Sequence, residues 1–563
     1  MANATKGTRT MMKYHTSISP SRPARRTVTA LTTAAAILLV ADVGFAQNTA
    51  IEVDAQRVDI QLPQAPAPAT VNMPNAFRAN VNIRQLAAVT DAEIVAADNE
   101  ARQHFDVAIP PPRVGLVRQL GVLPLSPADG NALRVAAPDG TQVTTTAVRS
   151  PGAYALRLHF TEFNVGKNGS VVVYGEDAQG VYARGPYTAT GPSRNGDFWT
   201  PIIPGDTAYI EIRGADNPAF IVAEIVHFDR HPSGVDPQDA SDAAGLLACH
   251  VDANCFTPAP FSRDATGRMN FNVGAGSFLC SGTQLNDFDG ATSVPYFITA
   301  FHCLSTQASV NTLTVTWGWE TDGCNGSLPV FGNLPTSDGG TLLATNVTTN
   351  GNDMTFIRLN GPLANGTFAG FTTGGLPANP QGYHHPSGSF RRGTTFFSGI
   401  VLNCTGLTTA NYHHLESIPG LGITEGGSSG SGVFNNSDQL MGQLFGVCCP
   451  SSHSSGCGAG NSCCLSGCNN RDEYSVLYGR FNVTFPLIQR FVEIGGTINA
   501  DSDYVGVELG TPTQPFNTAG EANNFAWDGS RIKFQGGDYA GAVTFSKDLL
   551  LIAENGFANI GAN

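Results

Sequence analysis

The chain has 563 residues, a formal net charge of −14, 64 glycines and 34 prolines, and only 13% charged residues. That length exceeds one compact domain and predicts two to four. The acidic balance argues against nucleic acid or an anionic membrane as partner. Low charge density with abundant glycine favours turn-rich β-structure over helix.

In chain order, Arg22, Arg25 and Arg26 precede an apolar, small-residue run over 28–40, and Gly44 and Ala46 suit signal peptidase. Residues 1–46 therefore read as a secretory signal that leaves Gln47 first, with Met11 and Met12 as alternative starts. The run is shorter than the roughly 20 residues of a membrane span, so export without stable membrane insertion is expected. Residues 47–80 form a Pro/Ala/Gln/Asn-rich leader, and a weak helical pattern over 81–109 stops at Pro110-Pro111-Pro112. Runs at 154–160, 170–174 and 207–213 alternate or are β-branched between turn residues. They predict a β-sandwich closing near 225–228. An acidic, small-residue linker over 232–244 ends this N-terminal domain, placed at 47–243.

From Cys249 to about Ile494, short strand signals between Gly-rich turns predict a barrel or sandwich, with length enough for two small barrels. Residues 496–563 form a further β-rich segment of unassigned role. Its run 525–561 alternates like one solenoid coil or an accessory sheet, and one copy cannot bury a solenoid core. All 12 cysteines lie between Cys249 and Cys468. An even number in an exported chain predicts disulfides. No metal or other cofactor is expected. Cys457, Cys463, Cys464 and Cys468 lack paired C-x-x-C spacing, and the doublets His384-His385 and His413-His414 point to opposite faces of a strand.

Three motifs carry chemistry. Tyr296-Phe-Ile-Thr-Ala-Phe-His-Cys303 is an apolar strand ending in a histidine. Asn352-Asp-Met-Thr-Phe-Ile-Arg-Leu359 opens a half-buried strand with a carboxylate, and Gly426-Gly-Ser-Ser-Gly-Ser-Gly432 is a tight Gly/Ser loop. A serine hydroxyl needs an adjacent base to act as a nucleophile. His302 suits that base, Asp353 suits its orienting carboxylate, and Ser429 suits the nucleophile. The glycines around Ser429 would let the N–H groups of Gly427 and Ser429 converge on one oxyanion. The order His, Asp, Ser is that of the chymotrypsin class.

These motifs, with Gly382-Tyr-His-His-Pro-Ser-Gly388, Gly442-Gln-Leu-Phe445 and Tyr478-Gly-Arg-Phe481, resemble the bacterial lysyl endopeptidases over roughly residues 244–494. The resemblance implies an all-β fold. A chymotrypsin-like double β-barrel peptidase domain (244–495) follows a β-sandwich-like propeptide domain, and a small β-rich C-terminal segment follows it. It implies a secreted monomeric serine endopeptidase acting on protein or peptide, with its own propeptide as partner. It also implies disulfides Cys280–Cys303 and Cys255–Cys324, with Cys249 reaching past Ser429, to Cys457. Rival readings are a catalytically silent binding protein or an esterase on the same fold.

Three positions depart from the family. Val476 stands where the family's lysine-binding Asp is expected, and Phe445 where a histidine lines the substrate cleft. Ser428 precedes the nucleophile where trypsin-like enzymes often carry an Asp that pairs with a freed N-terminal amine. Lysine specificity is therefore not expected to carry over, a small or apolar residue before the cut is the alternative, and latency should come from cover by the N-terminal domain. The mature start, counted back from Cys249, falls near Ala244 after Ala243, with no lysine nearby.

Overall fold

Period-2 burial builds the N-terminal part of the chain. Leu156, Leu158 and Phe160, Val171 and Val173, and Ala208, Ile210 and Ile212 are alternate residues of three strands, and all enter one buried cluster. In the computed structural model the described residues are 50–562 except 63–67, 69–80, 106, 108–109, 121–132, 137–139, 216–217, 235–248, 257–259, 400–406 and 449–474. The signal sequence, the junction near Ala244, Cys404 and Cys457 lie outside them.

Two sheets sandwich that cluster. One orders Ile83–Gln85, Gln142–Arg149, Thr207–Arg213, Ser170–Asp177 and Gly180–Thr188; the other contains Ala155–Asn164, Ala219–Phe228 and Arg113–Gln119. The weak helical pattern over 81–109 resolves into the strand Ile83–Gln85 and the helix Asp91–His104. Thr90 and Glu93 close a capping box at the start of that helix.

The second sheet does not end with the sandwich. Arg113–Gln119 also pairs antiparallel with Gly276–Leu285, Leu116 opposite Gly276 and Gly115 opposite Ser277. The sheet then continues through Thr266–Val273, Thr314–Thr316 and Thr336–Asp338, while Tyr296–Ala300, Met354–Leu359 and Gly340–Asn346 branch from Gly276–Leu285. These seven strands form a nearly closed first barrel. A second barrel closes fully, through Gln439–Cys448, Gly432–Phe434, Gln381–His384, Arg392–Ser398, Tyr412–Ser417 and Ser475–Arg480, which pairs back on Gln439–Cys448. The segment at the start of the described chain is threaded in as well: Glu52–Val53 pairs with Gly370–Thr372 and Gln56–Arg57 with Thr367–Phe368.

The helix Phe481–Ile494 has no counterpart in the sequence reading. Phe481, Phe485, Ile488 and Val492 recur at helical spacing and are buried against Tyr296, Met354 and Phe371. After it, Thr497–Ala500, Arg531–Ala540 and Leu550–Ala562 make a three-stranded parallel sheet. The short helix Ala519–Phe525 and the end of the preceding helix close its core.

Candidate active site

Antiparallel pairing sets Ala300 opposite Met354, so the turn after one strand meets the residue before the other. His302 lies in that turn and Asp353 is that residue. Asp353 has φ +57°, which a small polar residue tolerates, and its N–H donates to Val347 O while its carbonyl accepts from Phe301 N–H. Its side chain is fully buried. Oδ2 lies 2.8 Å from His302 Nδ1, and Oδ1 accepts from His302 N–H at 3.0 Å and Thr348 Oγ1 at 2.8 Å. A carboxylate only accepts, so the imidazole carries its proton on Nδ1 and leaves Nε2 with a bare lone pair. Nε2 is buried and has no partner among the described residues.

The neighbouring residue anchors this pair. Asn352 donates to Arg480 O and Thr484 Oγ1, and its carbonyl accepts from Gln443 Nε2 at 2.6 Å. A Cβ on Gly479 would fall 1.9 Å from the Asn352 carbonyl, so only glycine allows this approach. The Cys280–Cys303 disulfide fixes the turn beside His302, and Cys255–Cys324 closes a second loop. Cys249 is also disulfide-bonded. Sulfurs already joined offer no thiolate, so Cys280, His302 and Cys303 do not form a metal site despite their proximity.

Ser429 sits in the loop before Gly432–Phe434 of the second barrel and is 4% exposed. Ser281 binds that loop twice, its N–H to Ser429 O and its hydroxyl to Gly427 O, both at 2.9 Å. A Cβ on Gly430 would fall 2.1 Å from Thr299 Oγ1, which packs the loop directly on the strand leading to His302. Among the described residues, neither Gly427 N–H nor Ser429 N–H meets an acceptor. Ser429 Oγ makes no hydrogen bond to His302 Nε2.

The two substrate-binding candidates lie at different depths. Phe445 stands edge-to-face to His302, ring centroids 6.0 Å apart, in a cluster with Tyr412 and Leu477. Val476 faces the opposite way, into the second barrel with Phe396, Leu415, Leu444 and Val447, and pairs across strands with Val447. Beside Ser429 there is a cavity of only about 10 Å³, lined by Thr424, Glu425, Leu444, Gly446 and Val447. A wider cleft of about 350 Å³ borders His302, and its far wall is His104 and Phe105 of the N-terminal domain. Val107 packs on the cluster of Phe445, Tyr412 and Leu477.

Sequence reasoning missed Thr348, Ser281, Leu477 and the approach of Phe105 and Val107. It placed His384 in a doublet unsuited to a metal and in a family landmark, without a role of its own. Thr348 sits only five residues from Asp353 but carries no motif; the others act across long separations in the chain.

The family model for the lysyl endopeptidase C-terminal domain matches residues 244–459, and that for the lysyl endopeptidase N-terminal domain matches 85–219, together more than half the chain. A lysyl endopeptidase of Pseudomonas aeruginosa is 26% identical over 440 residues, covering 70% of this chain and 88% of its own length. Among solved structures, the thermostable serine protease AL20 from an extremophilic microorganism shares 13% identity, with 40% of this chain and 98% of that one covered and a TM-score of 0.26. A protease from M. tuberculosis in its active form shares 9%, with 40% and 81% covered and a TM-score of 0.25. The family matches and the paired barrels define a serine endopeptidase with a chymotrypsin-like double β-barrel. The chain belongs to the lysyl endopeptidase family.

Proposed function

We propose that the protein is a secreted serine endopeptidase that hydrolyses peptide bonds through an acyl-enzyme, with Ser429 as nucleophile, His302 as base and acid, and Asp353 as the orienting carboxylate. The observation that carries this reading is the buried Asp353–His302 pair, whose Nε2 has no partner among the described residues, with the Ser429 loop packed through Gly430 on Thr299 and Ala300 of the strand that leads to His302. Ser429 attacks the carbonyl, Nε2 takes its proton and returns it to the leaving amine, and Asp353 stabilises the imidazolium. The unspent N–H groups of Gly427 and Ser429 hold the oxyanion, a contribution of about 3–4 kcal/mol per donor in comparable sites.

The residue before the cut is small. A cavity of about 10 Å³ beside Ser429 admits little more than one water. Its walls Leu444 and Val447, backed by Val476, offer no counter-charge to an ammonium, whose burial unpaired costs several kcal/mol. Among the described residues, the acid that lines it, Glu425, lies 3.3 Å from His250. Small residues flank the expected junction at Ala243 and Ala244, which fits either a cut by another protease or this preference for small residues.

The N-terminal domain acts as a propeptide that covers the cleft. Phe105 and Val107 lie over the His302 and Phe445 side, and Arg113–Gln119 extends the first barrel's sheet. Buried Arg157 further ties the domain to Asn270 and to Thr312 O. Cutting the linker therefore leaves the domain bound until it is removed.

A fluorophosphonate probe and a peptide library test this together. Labelling confined to Ser429 and abolished in Ser429→Ala, with cleavage after Ala, Ser or Gly, is the expected result. Undiminished proteolysis by Ser429→Ala would sink the mechanism, and preferred cleavage after Lys would sink the pocket assignment.

A further inference from the structure

We infer that His384, acting through Ser428, is a positioning residue that holds the Ser429 loop in its working shape while the chain is still uncut. The inference rests on the assignment of Ser429 as nucleophile. His384 ends the strand Gln381–His384 and, like Ser428 and Thr394, is fully buried. Its Nδ1 lies 2.8 Å from Ser428 Oγ and its Nε2 2.9 Å from Thr394 Oγ1. Two further contacts fix the direction of every bond. Ser428 Oγ accepts from Glu425 N–H at 3.1 Å, and Thr394 Oγ1 donates to Ile423 O at 3.1 Å.

An amide N–H can only donate and a carbonyl can only accept. Thr394 has one proton and gives it to Ile423 O, so its oxygen receives Nε2–H of His384. A neutral imidazole then has Nδ1 as an acceptor, and Ser428 donates to it while accepting from Glu425. The chain runs Glu425 N–H to Ser428 O–H to Nδ1, then Nε2–H to Thr394 O–H to Ile423 O. Every proton is used once and no charge is buried. Burial accordingly keeps the imidazole neutral, far below its ordinary range, with the neighbouring His250 and Arg392 acting in the same sense.

The consequence falls on the turn between the two anchored residues. Glu425 and Ser428 are bonded in both directions, since Ser428 N–H also donates to Glu425 O at 3.0 Å. Gly426 and Gly427 form the turn so closed, with Gly427 at φ +91°. On its other side, His385 N–H donates to Ser281 Oγ, which donates to Gly427 O. The last residue of that strand and the one after it thus brace both sides of the loop and leave the N–H groups of Gly427 and Ser429 free for an oxyanion. A freed N-terminal amine has no acidic partner at position 428. Hydroxyl and imidazole do that work without a charge, and the network is complete with the N-terminal domain attached.

The test uses protein expressed from the full chain, with active sites counted by fluorophosphonate labelling and turnover measured on a peptide ester. Variants are Ser428→Ala, His384→Leu, the double variant, and His384→Gln, whose amide can accept and donate as the imidazole does. Per labelled site, kcat is expected to fall ten- to a hundredfold in each single variant, with KM changing less than threefold. The double variant should be no slower than the slower single, because both remove one path. His384→Gln should recover at least tenfold over His384→Leu. A kcat per site within threefold of the parent in Ser428→Ala, or losses that multiply in the double variant, overturns the inference even if His384→Leu fails to fold. Failure of the parent to label at Ser429 overturns the nucleophile assignment instead, and the two failures are distinct.

Discussion

Replacing Asp353 by Asn separates the tautomer argument from mere packing. Asparagine is isosteric and tolerates the φ of +57° at this position, so the fold should persist. Its amide has two orientations. With the oxygen towards His302 Nδ1, the NH2 group faces the His302 N–H and the Thr348 hydroxyl, where Oδ1 now accepts at 3.0 and 2.8 Å. With the oxygen towards those two donors, the NH2 group faces Nδ1. The second orientation keeps two acceptor contacts instead of one and avoids opposing the His302 backbone N–H, a preference of about 1–3 kcal/mol. It also forces the imidazole proton onto Nε2, the atom that must be bare to deprotonate Ser429. The expected loss in kcat is about 10³–10⁴-fold, the scale seen when the same exchange is made in a serine protease triad. KM and the thermal midpoint should stay near the parent values. Steady-state kinetics on a peptide ester with a parallel thermal melt measures both, and a kcat within tenfold of the parent would refute the tautomer argument.

Val476→Asp, which restores the family's acid, should not confer cleavage after lysine. Its side chain enters an apolar cluster of Phe396, Leu415 and Val447, so the variant should lose about 3 kcal/mol or more in urea melts, and a stable lysine-cleaving variant refutes this. Val107→Asp places a carboxylate on the apolar cluster of Phe445, Tyr412 and Leu477. It should raise the initial rate of the uncut chain at least tenfold, and an unchanged rate denies that this segment covers the cleft. Acid should destabilise the chain from about pH 6.5 downwards. Burial lowers His227 and His413 to about 4 and holds His384 and His385 well below the usual range. The unfolded chain then takes up protons below about 6.5 that the fold refuses, costing about 1.4 kcal/mol per pH unit for each net proton. Asp287, pushed up to about 7 by burial, acts in the opposite sense and offsets part of this loss. Urea midpoints that hold constant between pH 7 and 5 contradict that balance.

What could be read from the chain follows from how far apart the interacting residues lie. His302 and Asp353 each abut a strand whose alternation is visible in sequence, and one strand pair brings them together. The sandwich runs were legible for the same reason, since period-2 burial is local. The helix Phe481–Ile494 was overlooked although its Phe481, Phe485, Ile488 and Val492 spacing is equally local. A background of β-rich, Gly-rich sequence hid a single helix. The pairing of Arg113–Gln119 with Gly276–Leu285 has no local pattern, and neither has the bond from His384 to Ser428, 44 residues apart.

Val476 is the instructive case. Its distance from Tyr478 identifies the family position, but not which face of Ser475–Arg480 is turned to the cleft. That depends on the irregularity in Gln439–Cys448, where Leu444 pairs with Tyr478 but Gly446 with Leu477, leaving Phe445 as the extra residue. The bulge puts Phe445 beside Leu477 and sends Val476 inward to Val447. Two residues that look equivalent in a motif therefore act differently: Phe445 meets His302 directly, whereas Val476 shapes the pocket only through the wall it supports. In the proposed enzyme, substrate preference follows from the depth of that wall as much as from the missing charge.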